Sequence, residues 1–219
     1  LRDNQTLDFE IKRENIKVNP VGGKVLENNI GYIQFSSFDE GTAEDFKAKY
    51  EELKNQGINS LIIDLRNNGG GIVDEALQIA NYILDKDSVV LYEVDKNNKE
   101  DVKKTTDDPI INVPIILLTN ENTASASEIL AGALKDAGKA KIVGTKTYGK
   151  GVIQQVMTLK DGSGLKITTE KYLTPNRSEI NKIGIEPDEK VELPDSLKNQ
   201  LVIDEKEDTQ LQKAIEMLK

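Results

Sequence analysis

Three short apolar runs constrain the fold of this chain more than any other feature. They are "SLIIDLR" at 60–66, "VPIILLT" at 113–119 and "AKIVGTK" at 140–146. Continuous apolar runs of this length are typical of strands that are buried on both faces. Helical patterns follow the first two runs, at 73–84 and 127–138. Alternating strands and helices predict parallel pairing, and therefore an α/β core with added antiparallel hairpins.

Other strands are predicted around this core. Residues 5–13 alternate apolar and polar, with Leu7, Phe9 and Ile11 on one face, which predicts a half-buried strand. The remaining predicted strands are, in chain order, 29–37, 88–95, 152–159 and 165–174. The last two are predicted to form a hairpin joined by "DGSG". The charged segment 98–109 is predicted to be a solvated loop.

The helices are predicted from their ends and their apolar faces. Thr42 and Asp45 resemble a capping box at the start of a helix that Gly57 is expected to end. Its apolar stripe is Phe46, Tyr50 and Leu53. The stripe of the helix at 73–84 is Val73, Leu77, Ala80 and Leu84. Gly138 is predicted to end the helix at 127–138, and 209–218 form a short amphipathic helix.

Missing residue types exclude whole classes of chemistry. The 219 residues contain no histidine and no cysteine. This excludes a Ser/His/Asp triad, cysteine proteases, thiol redox chemistry, disulfides and the usual zinc sites. The formal net charge of -9 argues against nucleic-acid binding, which needs a basic face. We therefore expect protein or small-molecule partners and no metal.

Three polar loops are predicted to meet at one edge of the sheet. They are "NNGGG" at 67–71, "TNENTASAS" at 119–127 and "TYGKG" at 147–151, and each follows one of the apolar runs. In a parallel sheet with right-handed crossovers, the loops at the carboxyl ends of the strands share an edge, where sites of open α/β sheets form. Glycine amides, serine hydroxyls and a lysine amine are therefore expected to converge.

Amides, hydroxyls and an amine that converge in this way can catalyse acyl transfer without histidine. A lysine can act as the base for a serine when its amine is neutral, and burial favours this by lowering the pKa of an amine. Lys150, between two glycines, is the candidate base. Ser125 and Ser127 both lie at a predicted helix start, and capping logic does not choose between them. Amide donors for an oxyanion are available at that helix start and in the loop at 69–71.

Each element also has a simpler structural interpretation. Ser125 followed by Glu128 is a good capping box, "NNGGG" suits a strand-to-helix turn, and Lys150 suits a solvated hairpin. The segment "GTKTYGKG" at 144–151 also matches a phosphate-binding loop at all but its last position. Nucleotide binding is disfavoured, because that loop should precede a helix and "VIQQVMTL" is typical of a strand.

Taken together, the motifs resemble those of a known family. "DLRNNGGG", "TNENTASASEILAGALKDAGKAKIVGTKTYGKGVIQ" and "PNRSEINKIGIEPD" occur in the order found in carboxyl-terminal processing proteases, also called tail-specific proteases. These are serine peptidases with a Ser/Lys dyad, and the resemblance runs from about residue 24 to the end. It implies a crotonase- or ClpP-like core, with a parallel sheet and added antiparallel hairpins, that needs no cofactor.

Carried over residue by residue, the resemblance implies a set of catalytic roles. Ser125, the earlier serine of "SAS", would be the nucleophile and Lys150 the general base, with Gln154 orienting the lysine. The amides of Ala126 and Gly70 would hold the oxyanion.

The choice of Ser125 rests on this matching, and Ser127 is the alternative nucleophile. The family normally carries a PDZ domain before the protease core. Residues 1–20 resemble only its last strand and a linker, with the core at 21–195 and a tail and helix at 196–219. We therefore expect the chain to be a fragment of something longer.

The resemblance also implies a function and a location. We expect an endopeptidase that cleaves near the carboxyl termini of partly unfolded proteins. The resemblance is also compatible with assembly into a homo-oligomer. The alternative is a non-catalytic scaffold that captures tails by strand addition. The family is usually found outside the cytoplasm, in the bacterial cell envelope or periplasm, or in the chloroplast lumen.

Overall fold

The structure is a computed structural model that describes residues 6, 9–14, 19–198, 200 and 203–219. Its strands and helices are, in chain order, β1 Val21–Val25, β2 Ile30–Phe35, α1 Thr42–Asn55, β3 Ser60–Asp64, α2 Val73–Ile83, β4 Val89–Asp95, β5 Glu100–Lys104, β6 Ile115–Thr119, α3 Ala126–Asp136, β7 Ala140–Gly144, β8 Val152–Thr158, β9 Gly164–Leu173, β10 Glu189–Lys190 and α4 Thr209–Met217. None of the described helices is long and apolar enough to span a bilayer.

The predicted α/β core is confirmed. Its central sheet has the order β1-β2-β3-β6-β7-β10. All neighbours from β2 onward are parallel, whereas β1 is antiparallel to β2. Every residue of β3 and of β6 is buried, because helices cover both faces of the sheet. This double burial explains why the two strands are almost uniformly apolar in sequence.

The two faces of the sheet are covered unequally. Helices α1, α2 and α3 pack on one face and form the larger core with inward residues such as Ile63, Leu117 and Ile142. Helix α4 packs on the other face, where Leu211 and Ile215 contact a smaller apolar cluster. The short amphipathic helix predicted at 209–218 is therefore confirmed as α4.

A second sheet, of order β5-β4-β9-β8, is antiparallel throughout. The predicted hairpin is confirmed as β8 and β9. The prediction of a solvated loop at 98–109 is wrong for Glu100–Lys104, which form the edge strand β5 against β4, and holds for 98–99 and 106–109. Charged residues suit an exposed edge strand, and the pairing comes from β4 rather than from local apolar pattern.

The beginning of the chain also differs from expectation. Residues 9–14 belong to no strand, and Phe9 and Ile11 are 75% and 84% exposed. The half-buried strand predicted at 5–13 is therefore wrong for these residues, because no other described part of the chain covers their apolar side chains. Leu7 lies outside the described residues. Strand β1 at Val21–Val25 was not predicted.

Helix α1 is capped from a distance rather than locally. Its N-cap is Gly41, so the predicted capping box of Thr42 and Asp45 is wrong. The Glu75 carboxylate of α2 accepts hydrogen bonds from the N–H groups of Gly41 and Ala43, at 2.9 and 2.7 Å. A distant carboxylate thus satisfies the free amides of the first turn and complements the positive end of the helix.

The other helix predictions largely hold. Helix α1 ends just before Gly57 and α3 just before Gly138, as predicted. The stripe of α1 is confirmed, since Phe46, Tyr50 and Leu53 are all buried. In α2 the predicted stripe is confirmed at Ala80 and Leu84, and the buried face also includes Ala76, Ile79 and Ile83. Val73 and Leu77 are only partly buried at its margin.

Candidate active site

The three polar loops meet at the carboxyl edge of the central sheet, as predicted. The Asn68 carbonyl accepts a hydrogen bond from the Ala124 N–H at 3.0 Å, which joins the loops after β3 and β6. The Tyr148 N–H donates to the Thr123 carbonyl at 3.0 Å, which joins the loops after β6 and β7. Segments far apart in sequence are therefore held together through their backbones.

Ser125 occupies a strained turn at the start of α3. It is the N-cap residue, with φ 58° and ψ -119°, and it is partly exposed. A non-glycine residue with positive φ is uncommon, and such strain clusters at functional sites. A sharp strand-to-helix turn of this kind presents a nucleophilic serine at the top of a sheet.

The glycine loop passes directly beside this turn. Gly70 has φ +92°, and a Cβ on it would lie 2.6 Å from the Ala124 carbonyl oxygen and 2.8 Å from the Ala126 nitrogen. Only glycine fits at this approach. The loop after β3 and the serine turn therefore pack backbone against backbone.

The two N–H groups predicted to donate to the oxyanion differ in their hydrogen bonding. Ala126 is the first residue of α3, and the first N–H groups of a helix have no partner within it. The Gly70 N–H donates to Asn68 Oδ1 at 2.8 Å. The structure thus brings Ala126 and Gly70 together, with the Gly70 amide already engaged.

Asn68 is a buried residue that links several segments of the site, a role that was not predicted from the sequence. Its side chain is fully buried, and its Nδ2 donates to the Phe35 carbonyl at 3.2 Å. Its own carbonyl accepts from Ala124 N–H and from Ser127 Oγ. Asn68 therefore connects the glycine loop, the end of β2 and the serine turn.

Ser127 has a structural contact of its own. It is fully buried, and its hydroxyl donates to the Asn68 carbonyl at 3.1 Å. A buried hydroxyl engaged in this way is not presented to a substrate. The burial disfavours Ser127 as a nucleophile and supports Ser125.

Lys150 is brought close to the serine turn through its backbone. Its N–H donates to Glu128 Oε2 at 2.8 Å, and its carbonyl accepts from the Tyr172 hydroxyl at 2.7 Å. Within the described residues, these are the hydrogen bonds of Lys150, so its Nζ and Ser125 Oγ are not bonded to each other. Strand β8 follows Lys150, which is the wrong context for a phosphate-binding loop.

Glu128 is the polar centre of the site. This fully buried carboxylate accepts from Ser125 N–H at 3.0 Å and Lys150 N–H at 2.8 Å. It also accepts from Gly149 N–H at 2.8 Å and from the Thr147 hydroxyl at 2.5 Å. The capping interaction predicted for Glu128 is thus present, but it is only one contact of four.

Tyr172 approaches the same two loops from β9. Its hydroxyl lies 2.7 Å from the Lys150 carbonyl oxygen and 3.2 Å from that of Ser125. Burial, and secondly the charge of Glu128, raises the pKa of the Tyr172 phenol. The phenol therefore keeps its proton and remains a hydrogen-bond donor.

Among the described residues, Gln154 makes no hydrogen bond to the lysine. It is exposed on β8, and its Nε2 lies 3.4 Å from Thr168 Oγ1 across the hairpin. The strand pairing shifts register between Ile153 and Gln154, which re-aims the side chains there. Of the predicted site residues, Gln154 is therefore the one that the structure leaves apart.

A second polar cluster lies behind the glycine loop. Arg66 makes ion pairs with Asp64 at 2.6 Å and with Asp208 at 2.9 Å, and all three side chains are almost completely buried. Asp208 also caps α4, so the cluster joins that helix to the end of β3. Among the residues from 19 to 198 and the other described segments, no group of acidic side chains is arranged to hold a metal ion.

Two of the residues whose part in the site was not predicted lie in motifs that are visible in the sequence. Glu128 and Asn68 lie inside the quoted motifs, but local reasoning gave Glu128 only a capping role and Asn68 none. Tyr172 lies in a predicted strand with no local mark of function. Its hydroxyl reaches the site loops only through the tertiary fold.

Most of this chain is similar to known peptidases. The model of peptidase family S41 matches residues 29–191. A "Carboxyl-terminal-processing protease" of Picosynechococcus sp. is 38% identical over 212 residues, which cover 95% of this chain and 50% of that protein. "Carboxyl-terminal-processing peptidase 3, chloroplastic" of Arabidopsis thaliana is 37% identical over 195 residues, covering 85% of this chain and 38% of that protein.

A solved structure agrees with these relatives. The "photosystem II D1 C-terminal processing protease" superposes with a TM-score of 0.74 at 34% identity, covering 83% of this chain and 51% of that one. The chain thus spans about half the length, or less, of these proteins. The matched region includes the serine turn, the glycine loop and Lys150. This chain belongs to peptidase family S41, in which its relatives are named carboxyl-terminal processing proteases.

Proposed function

We propose that the chain carries the catalytic core of a serine endopeptidase that cleaves near the carboxyl termini of partly unfolded proteins. Its family and the names of its relatives support this proposal. The observation that carries it is the strained, partly exposed Ser125 turn, which packs against Gly70 and is tied through Glu128 to the Lys150 loop.

The proposed reaction uses two side chains. Ser125 Oγ attacks the carbonyl carbon of the scissile peptide, and the neutral amine of Lys150 accepts the hydroxyl proton. The tetrahedral intermediate then breaks its C–N bond, and Lys150 returns the proton to the departing amine. Water then attacks the resulting ester while Lys150 takes its proton. The second tetrahedral intermediate breaks its bond to Ser125 Oγ, and Lys150 returns the proton to that oxygen, which releases the new carboxyl terminus.

Amide donors stabilise the oxyanion in this proposal. The Ala126 N–H lies at the positive end of α3, directly after the nucleophile. Gly70 becomes the second donor when its amide turns from Asn68 Oδ1 toward the substrate oxygen. A single donor of this kind is worth about 3 kcal/mol of transition-state stabilisation.

Gln154 is proposed to orient Lys150 once the dyad is aligned. Its present contact with Thr168 is long and exposed, and therefore weak. Release of that contact leaves the Gln154 amide available to the lysine.

The whole protein's substrates, partners and location are also proposals. Substrates are proteins captured by apolar carboxyl-terminal tails, and the protein acts outside the cytoplasm of a bacterium or in a chloroplast lumen. The relatives include bacterial and chloroplastic processing proteases, which supports this location. Residues 1–20 are proposed to end a PDZ domain, with the protease core at 21–195 and the tail and helix at 196–219. A homo-oligomer is compatible with this arrangement.

The test is cleavage of an unfolded protein with an apolar tail by the full-length enzyme, followed by intact mass. Wild type should cleave, whereas Ser125→Ala and Lys150→Ala should not. Ser127→Ala is the matched control, since it removes a hydroxyl two residues away. It should still cleave and lose only about 1 kcal/mol of stability with its buried hydrogen bond.

Two outcomes would contradict the proposal. Cleavage that survives Ser125→Ala would show that another group is the nucleophile. A wild type that binds the tail but never releases a product would instead identify the non-catalytic scaffold.

A further inference from the structure

The hydroxyl of Tyr172 lies between the two residues that the proposed reaction uses. It is 2.7 Å from the carbonyl oxygen of Lys150 and 3.2 Å from that of Ser125. A phenol has one proton, so the shorter contact is the stronger hydrogen bond and the longer one is shared. One side chain therefore spans the nucleophile turn and the lysine loop.

Tyr172 is a rigid support for these contacts. It lies on β9, which is paired on one side with β4 and on the other with β8. Its N–H donates to the Gly151 carbonyl at 3.1 Å, and the residue is only 1% exposed within the main core. A group anchored on a central strand holds its neighbours more accurately than one on a loop.

Glu128 holds the opposite ends of the same two residues. Its Oε2 accepts from the N–H of Ser125 at 3.0 Å and from the N–H of Lys150 at 2.8 Å. The N–H groups of both residues thus meet one carboxylate oxygen, and their carbonyl groups meet one phenol. The two backbones are bridged at both ends, although their side chains are not bonded to each other.

We propose that Tyr172 is a positioning residue for peptide cleavage, which works with Glu128 to fix the backbone of Lys150 relative to that of Ser125. This inference rests on the proposed function, because it assigns a role within that reaction. Tyr172 touches neither substrate nor reacting atoms and acts through the placement of the lysine.

The test compares Tyr172→Phe with wild type in the full-length protein. The change removes the hydroxyl and keeps the buried ring. An internally quenched peptide with an apolar tail should show kcat lowered about tenfold to a hundredfold with KM unchanged, since misplacement near 1 Å costs about a hundredfold. Glu128→Gln weakens the hydrogen bonds that the N–H groups of the same loop donate. It should likewise lower kcat and leave KM unchanged.

Tyr50→Phe is the matched control. Tyr50 is also buried, at 3% exposure, but lies on α1, which packs on β1, β2 and α2. It should keep wild-type kcat and KM. An unchanged kcat in Tyr172→Phe, a loss that appears only in KM, or an equal loss in Tyr50→Phe would overturn the inference.

Hydrogen exchange gives a readout that does not depend on peptidase activity. The amides of Gly149 and Lys150 donate to Glu128, and loosening of the loop should speed their exchange in Tyr172→Phe by about tenfold. Unchanged exchange of these amides would overturn the inference. A wild type that cleaves nothing would overturn the proposed function, and the exchange rates would still decide whether Tyr172 holds the loop.

Discussion

Replacement of Gly70 by alanine tests whether the glycine loop must touch the serine turn. Gly70→Ala would place a methyl group 2.6 Å from the Ala124 carbonyl oxygen and 2.8 Å from the Ala126 nitrogen. Both atoms are backbone, so no side chain can rotate away. The φ of +92° adds a cost of about 1–2 kcal/mol for any residue with a Cβ.

The size of the displacement gives the expected loss of activity. The new methyl must retreat by about 0.8 Å to reach an ordinary contact, which approaches the 1 Å misplacement that costs about a hundredfold in rate. If the Gly70 amide is the second oxyanion donor, as proposed, its loss would itself cost about 100-fold to 1,000-fold in kcat. We therefore expect Gly70→Ala to lower kcat at least about a hundredfold. Overpacking of about 1–3 kcal/mol adds to the backbone cost and gives a total of about 2–5 kcal/mol, which most folded domains of about 5–15 kcal/mol stability survive.

Gly69→Ala is the control from the same loop. A Cβ at Gly69 would meet no atom within 4 Å, and its φ is not positive. Peptide cleavage by both variants would be measured beside urea unfolding, which separates lost activity from lost folding. The reasoning is refuted if Gly70→Ala keeps more than about a third of wild-type kcat, or if Gly69→Ala loses as much as Gly70→Ala.

Two further predictions concern stability. Arg66→Met leaves the buried carboxylates of Asp64 and Asp208 unpaired and should cost about 3–5 kcal/mol in urea unfolding. Adding Asp208→Asn should recover part of that loss, and a loss under about 1 kcal/mol would contradict the ion-pair argument. Burial raises the pKa of the phenols of Tyr32 and Tyr172. A nearby carboxylate raises each pKa further, Asp64 beside Tyr32 and Glu128 near Tyr172. Because the folded state holds these protons more tightly, stability should be full below about pH 10 and fall above it, by about 1.4 kcal/mol per pH unit for each tyrosine. The phenylalanine variant of either tyrosine should remove its share of this slope.

The sequence predicted the parts of the fold that depend on pattern and topology. Strands β3 and β6 were predicted because burial on both faces leaves a continuous apolar run. The meeting of the three loops followed from parallel pairing alone, since the carboxyl ends of such strands share an edge. The α4 helix at 209–218 was predicted from its amphipathic pattern, although its packing face was not.

Elements that depend on distant partners were missed. Strand β5 is charged and pairs only because β4 offers an edge. The first turn of α1 is capped by Glu75 of α2, so the local capping box had no role. In the site, the Tyr172 hydroxyl contacts backbone carbonyls of two loops that are 22 and 47 residues away in sequence. No local pattern encodes such contacts.

The polar groups that build the site couple its geometry to the stability of the fold. Asn68 and Glu128 are fully buried, and Tyr172 is only 1% exposed. Burial of a polar group costs free energy unless it is hydrogen-bonded, and each of these side chains is bonded to the backbone of a site loop. Removal of one partner leaves the others unsatisfied, at a cost of about 1–3 kcal/mol for each such group. We therefore expect a substitution that loosens this network to lower stability together with the proposed activity. A substitution that changes only the side-chain end of Ser125 or Lys150, both partly buried, should remove the proposed chemistry while the network, and with it the fold, remains intact.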